Sequence, residues 1–179
     1  MLYWVGLFGL KPERGIPMSA VEAMSETIEK FYTINRILNA LQKKPHTYAS
    51  ETLCANEAHT LKLIAQNEGI SQSELSDRMF RTKGATSVVV DSLASRGLVK
   101  REREQGNQRR YLLSLTERGQ EVHKAHIAYD TVSAQLACAA IGLSEDQLVE
   151  LSSNLDKIIE FYSNTYLDHG RAVTNPSHK

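Results

Sequence analysis

The chain has two cysteines and four prolines in 179 residues, and its ten glycines are scattered. Cys54 and Cys138 lie far apart and fit no CxxC spacing, which excludes a disulfide framework and points to a reducing cytoplasm. So little proline and glycine excludes a low-complexity or multi-linker chain. Long hydrophobic runs are also missing. The first ten residues, MLYWVGLFGL, are apolar but fall short of the roughly 20 needed to span a bilayer, and no basic region precedes them as in a secretory leader. A packing arm is expected there, with Met18 as a candidate natural start, and no membrane association. The motifs GxSxG, Walker A, HExxH and GxGxxG are all absent, and no nucleophile–base arrangement stands out, so an enzyme is not expected.

Net charge is missing too: 21 basic and 21 acidic residues cancel. The balance hides an asymmetry. From Arg78 to Arg110 there are nine basic and three acidic residues, a local +6, offset by −6 elsewhere. A concentrated basic segment suits a polyanionic partner, whatever the total.

Periodicity organises the rest. Ile28, Phe31, Tyr32, Leu38 and Leu41 predict a long helix over 21–43, ended by Lys44-Pro45, with a loop over 45–55. Leu61, Ile64 and Ala65 predict a second helix over 57–66. Ser71 with Glu74 forms a capping box for a short third helix, with Leu75 and Met79 inward. After RTKG, a fourth helix over 85–96 turns Ala85, Val89 and Leu93 inward and ends at Gly97. Two short helices joined by a four-residue turn make a helix-turn-helix. The period then changes to two. Residues 98–101 and 111–115 read as strands, with Tyr111, Leu113 and Leu115 on one face and the charged REREQGNQRR as the tip of a hairpin. A long helix to about Ala140 follows, then Gly142, the N-cap Ser144 and a last helix carrying Leu148, Leu151, Leu155, Ile158, Ile159 and Tyr162.

A helix-turn-helix followed by a two-stranded wing suits duplex DNA. The fourth helix fits the major groove, and its first residues, Arg81, Thr82, Lys83, Thr86 and Ser87, are the candidate base and phosphate contacts. Arg103, Arg109 and Arg110 are the wing candidates for the adjacent groove. Val88, Val89 and Val90 read as core or helix support, and Asp91 is expected to hold an arginine of the wing.

The run from Ser71 to Gly119, with "VDSLASRGLV", an arginine-bearing wing and "LSLTERG", resembles the MarR (multiple antibiotic resistance regulator) family of bacterial transcription factors. The resemblance implies a mainly α fold with a small β-hairpin wing: a winged helix-turn-helix flanked by long dimerisation helices. Its expected divisions are an N-terminal arm (1–20), a first dimerisation helix and loop (21–50), a DNA-binding module (55–117), C-terminal dimerisation helices (118–168) and a polar tail (169–179). It implies a homodimeric, effector-responsive repressor on a pseudo-palindromic operator; a winged helix used for protein contacts is the alternative. It sets Arg109 at the wing-tip arginine and Asp91 at the aspartate that pairs with it, and departs at Asn107, where the family has an aspartate.

Family members respond to phenolic or aromatic acids, to oxidants or to metals. No cofactor is required. Tyr32, His59, Met79 and Tyr129 are the candidate effector-pocket residues. His126 and Asp130 share a helix face at i,i+4 and, with His59, form a candidate site for a divalent metal such as zinc, with His46 or Cys54 to complete it; two acids of the zinc-responsive members are here Ala58 and Ala125. Cys138, in an alanine-rich helix, reads as a small core residue.

Overall fold

The computed structural model describes residues 17–42, 44–104 and 106–167, without the side chains of residues 108, 109, 166 and 167. The expected polar tail, and all but the last residues of the N-terminal arm, lie outside the described residues. The chain divides into two units, one of residues Ala23–Gln135 and one of Met1–Glu22 with Leu136–Lys179.

Within the first unit, α1 (Met18–Leu41, its first turn in the other unit) leads to two short antiparallel strands, β1 (His46–Tyr48) and β2 (Glu51–Leu53). The sequence pattern suggested only a loop here. Three-residue strands are too short to show a period, but Tyr48, Glu51 and Leu53 all turn inward, and Ala49 takes a left-handed conformation (φ 52°) at the turn. Helix α2 (Ala55–Gln66) follows, its first turn held by the Cys54 N–H donating to Glu57 Oε2 at 3.1 Å.

The helix-turn-helix is α3 (Gln72–Arg78) and α4 (Lys83–Ser95). The capping box at the start of α3 forms as read: the Glu74 N–H donates to Ser71 Oγ (3.2 Å) and the Ser71 N–H to Glu74 Oε2 (2.9 Å). The turn closes with Phe80 N–H on Asp77 O (3.1 Å) and Arg81 N–H on Ser76 O (3.0 Å), a Schellman-type cap with Phe80 in the left-handed position usually given to glycine. Thr82 caps α4, accepting from the Ala85 N–H at 3.2 Å. Gly97, at φ 69°, ends it, with Leu98 N–H on Leu93 O at 3.0 Å.

The inward stripe of α4 is Thr86, Val90 and Leu93, with Val89 half-buried and Ala85 exposed. This is one residue out of phase with the apolar pattern. A buried threonine is hard to read as core, yet Thr86 Oγ1 donates to Thr82 O at 3.2 Å and so enters the interior already satisfied.

Strands β4 (Val99–Glu104) and β5 (Asn107–Leu115) pair antiparallel, and a two-residue strand, β3 (Ile70–Ser71), adds to the other edge of β5, giving the order β3-β5-β4. The strands are longer than expected: pairing runs from Val99↔Leu115 to Glu104↔Asn107, and Gly106 turns at φ 83°. Arg109 and Arg110 therefore belong to strand β5, not to a long tip. Leu53, Leu61, Ile64, Leu75, Leu93, Leu98, Leu113 and Val122 are fully buried in one core, each contributing roughly 1.5–3 kcal/mol.

Helix α5 (Glu117–Ile141) begins against this core. Thr116 N–H donates to Leu98 O (3.1 Å), and Gly119 is buried so tightly that a Cβ would sit 2.0 Å from that same carbonyl oxygen. In the second unit α5 ends at Gly142 (φ 71°), Ser144 caps α6 (Glu145–Tyr162) with its Oγ accepting from the Gln147 N–H at 3.3 Å, and a π-helical turn follows over Ser163–Leu167. Cys138 is exposed, not core, on the alanine-rich end of α5. Among the described residues no helix is long and apolar enough to cross a membrane.

Gly119→Ala should cost about 3 kcal/mol or more, because backbone rather than a flexible side chain must move. Thermal unfolding followed by circular dichroism should show a Tm lower by roughly 6–12 °C; an unchanged Tm would mean that α5 does not press on Leu98 in this way.

Candidate nucleic-acid interface

The outward side of α4 carries Lys83, Gly84, Val88 and Asp91, all exposed, with Ser87 half-buried beside them. The unsatisfied N–H groups of the first turn of this helix favour an anion, and Lys83 stands in that turn. Thr82 is occupied as the cap. Arg81 donates to Asn56 Oδ1 at the start of α2, which fixes its guanidinium at the helix entrance. Thr86 is buried and is withdrawn from the reading face.

Asp91 pairs with Arg101 of β4, whereas the resemblance paired it with the wing-tip Arg109. Its Oδ1 lies 2.5 Å from an Arg101 guanidinium nitrogen, and its Oδ2 accepts from Ser87 Oγ at 3.3 Å. The ion pair ties α4 to β4 and offsets a carboxylate that would otherwise repel phosphate. The Arg109 side chain lies outside the described residues.

Arg103 stacks over the ring of Tyr111, its cross-strand partner, at 5.3 Å. Arg110 is engaged by two carboxylates, Glu104 Oε1 at 3.1 Å and Glu74 Oε1 at 3.1 Å. It bolts the wing to α3 and offers less to a ligand than its sequence position suggested. Hydrogen bonds from the Ser71 side chain and backbone, together with Arg110, bring the Glu74 carboxyl down to about 2.

A network missed by sequence reading sits behind this surface. Glu51, buried on β2, accepts from Arg96 Nε at 3.0 Å and also from Arg118 of α5. Arg96 reaches Glu57 Oε1 (3.4 Å) and Thr52 O (2.8 Å) as well, and Ser92 Oγ donates to Glu57 Oε1 at 3.0 Å. Arg96 holds the Glu51 carboxyl below its ordinary range. Nothing local in "SETL" marks Glu51 as buried; its partners lie 45 and 67 residues away.

The effector and metal candidates assemble only in part. His59 and His126 rings meet edge to face at 5.4 Å, and Tyr48, Tyr129 and His46 join them, with His46–Tyr129 at 4.2 Å. Tyr32 is exposed on α1, and Met79 is half-buried against the core with Sδ 3.6 Å from Thr60 Oγ1, so the four expected pocket residues do not line one cavity. Asp130 is paired with Lys62 Nζ at 3.0 Å and lies 3.4 Å from His126 Nε2. With an ammonium on that carboxylate the expected metal trio is not built, and among the described residues no group of three His, Cys, Asp or Glu could hold a metal. His126 is buried, and burial lowers its pKa against the opposing pull of Asp130. A cavity of about 210 Å³ does exist between α2 and α5, lined by Ile64, Ala65, Glu68, Leu115, Gln120, His123 and Lys124.

Residues 54–110 match the model of the MarR family. Over this segment the chain is similar to the MarR-family winged helix. No curated protein matches the chain. Three solved structures that share the MarR fold are FabT of Streptococcus pneumoniae in complex with DNA, MarR of Staphylococcus aureus in complex with salicylate and kanamycin, and PcaV of Streptomyces coelicolor in complex with its natural ligand. FabT is 18% identical with a TM-score of 0.58, covering 80% of this chain and 98% of its own. For the S. aureus MarR the values are 20%, 0.67, 80% and 94%. For PcaV they are 17%, 0.56, 83% and 98%. The chain thus has the fold of the MarR transcription regulators.

Glu74 gives a pH test. Its folded pKa is depressed, so its contribution to stability is complete above the unfolded value near 4.3 and is lost as pH falls toward about 2. Denaturant titrations between pH 5 and pH 2.5 should show a smaller acid loss in Glu74→Gln than in the native chain. Equal losses would mean that the Ser71–Glu74–Arg110 contacts do not persist in solution.

Proposed function

We propose that the chain is a duplex-DNA-binding transcriptional repressor that acts in the cytoplasm as a homodimer and releases its operator on binding a small aromatic acid. The observation that carries the DNA reading is the Asp91–Arg101 pair: it makes the open face of α4 and the wing one surface, with Lys83, Arg103 and Arg109 as its cations. Arg81, Thr82, Ser87 and Arg110 support that surface. FabT, a neighbour in fold, was solved in complex with DNA.

Dimerisation is supported by unspent apolar area. Helices α1 and α6 bury no residue, while Met24, Ile37, Leu38 and Leu41 on one and Val149, Leu151, Ile159 and Phe161 on the other stay exposed. Faces of this kind mark an interface, and a second copy supplies the same faces by two-fold symmetry. The effector reading draws on the salicylate and natural-ligand complexes of two neighbours and on the cavity between α2 and α5. At about 210 Å³ it suits a single-ring acid, with Ile64, Ala65 and Leu115 against the ring and Lys124 for the carboxylate.

Binding to duplex DNA should weaken linearly in log affinity against log salt, with a slope of about −0.9 per phosphate contacted. Lys83→Ala and Arg109→Ala should each weaken all duplexes and shrink the slope by about one, with Tm unchanged. A chain with no salt-dependent DNA affinity would instead be a protein-contact winged helix. Sedimentation should give a dimer, and Ile37→Glu should shift it toward monomer; a native monomer would defeat the two-fold model.

A further inference from the structure

Two residues of α4 have no packing role among the described residues. Val88 is 69% exposed in mid-helix, where a β-branched side chain is a weaker helix former than alanine. Gly84 is exposed in the first turn, has no positive φ, and has nothing within 4 Å of a Cβ built on it. Neither turn geometry nor packing asks for glycine there, and its cost relative to alanine goes unrecovered within the fold.

The two stand one turn apart. At 100° per residue they lie opposite the buried Thr86, Val90 and Leu93, at the outermost line of the helix. Asp91, next on that line, is paired with Arg101, and Ser87 on the flank is bonded to Asp91. Lys83 stands about 100° to one side, so the line through Gly84 and Val88 itself carries no free charge and no side-chain hydrogen-bonding group. It cannot read the oxygen and nitrogen atoms of a base edge. The apolar group that the major groove exposes is the C5 methyl of thymine.

We propose that Val88 packs against a thymine methyl in each half-site, and that Gly84 is glycine so that the groove floor can approach the helix there. This inference rests on the reading of α4 as the DNA-contacting helix and adds to it a specificity-determining residue and the base it selects. A polar edge opposite Val88 would lose its water without gaining a partner, so discrimination has a repulsive part as well.

The test uses the full chain. A duplex enriched from a random pool is resynthesised with each thymine replaced in turn by deoxyuridine, which removes only the methyl. One position per half-site should weaken binding about fourfold, the equivalent of one buried methyl group. Val88→Ala, exposed and so expected to melt at the native Tm, should bind the thymine and deoxyuridine duplexes equally well at that position. Gly84→Ala should bind the enriched duplex more weakly although its helix propensity is higher. If enrichment succeeds but no deoxyuridine matters, or Val88→Ala keeps the native thymine preference, the proposal is overturned and the DNA reading stands. If no duplex is enriched and no salt-dependent affinity is found, both fall together.

Discussion

Glu51 is the carboxylate on which the placement of α4 depends. It is buried, so it must be paired: an isolated ionised carboxylate in a protein interior costs many kcal/mol. Its partners are the last residue of the α4 cap, Arg96, and a first-turn residue of α5, Arg118, while Glu51 itself comes from the β1–β2 hairpin. Three separate segments thus satisfy one charge. Arg96 carries the network on to Glu57 at the start of α2, whose other oxygen receives the Cys54 N–H. The C-terminal end of α4 is held from three sides, and its N-terminal end projects with Lys83, Gly84 and Val88 outward.

A second set of ion pairs does the same for the wing. Asp91–Arg101 joins β4 to α4, and Arg110 joins β5 to Glu74 at the N-terminus of α3. These pairs are partly exposed, so each adds little stability, but they fix direction. They also divide the basic residues into two kinds. Arg96, Arg101 and Arg110 are committed to carboxylates, and the local charge excess overstates what is free to meet a phosphate. Among the described residues Lys83 on α4 has no such carboxylate, and Arg103 stacks on Tyr111.

Features set by neighbours in the chain were legible in the sequence. Ser71 with Glu74, Ser144 with its acidic first turn, and Gly97 after a helical run are local signals, and all three act as read. Features set by distant partners were not. The β1–β2 hairpin is too short to show a period, and Glu51 is defined by arginines 45 and 67 residues away. Thr86 was misread because its burial depends on a hydrogen bond to Thr82 O rather than on its polarity. Arg110 looked like a tip residue because charge patterning does not show where a strand ends. The expected metal trio failed for a related reason: the i,i+4 rule brought His126 to Asp130, but Lys62, from another helix, reached the carboxylate as well.

That last contact has a structural consequence. Lys62 and His59 belong to α2, and His126 and Asp130 to α5, so one ion pair and one ring contact bind the first helix of the winged-helix segment to the long helix that leaves it. His126 is buried and resists protonation, which keeps the junction free of a second positive charge beside Lys62. The cavity walled by His123 and Lys124 lies between the same two helices. A ligand that entered there would act on the α2–α5 junction, and through Arg118, Glu51 and Arg96 on the end of α4. It would shift a binding equilibrium only by the difference in its affinity for two settings of that junction. Arg118 also donates directly to Arg96 O, so the start of α5 meets the end of α4 both through the buried Glu51 carboxylate and by its own hydrogen bond.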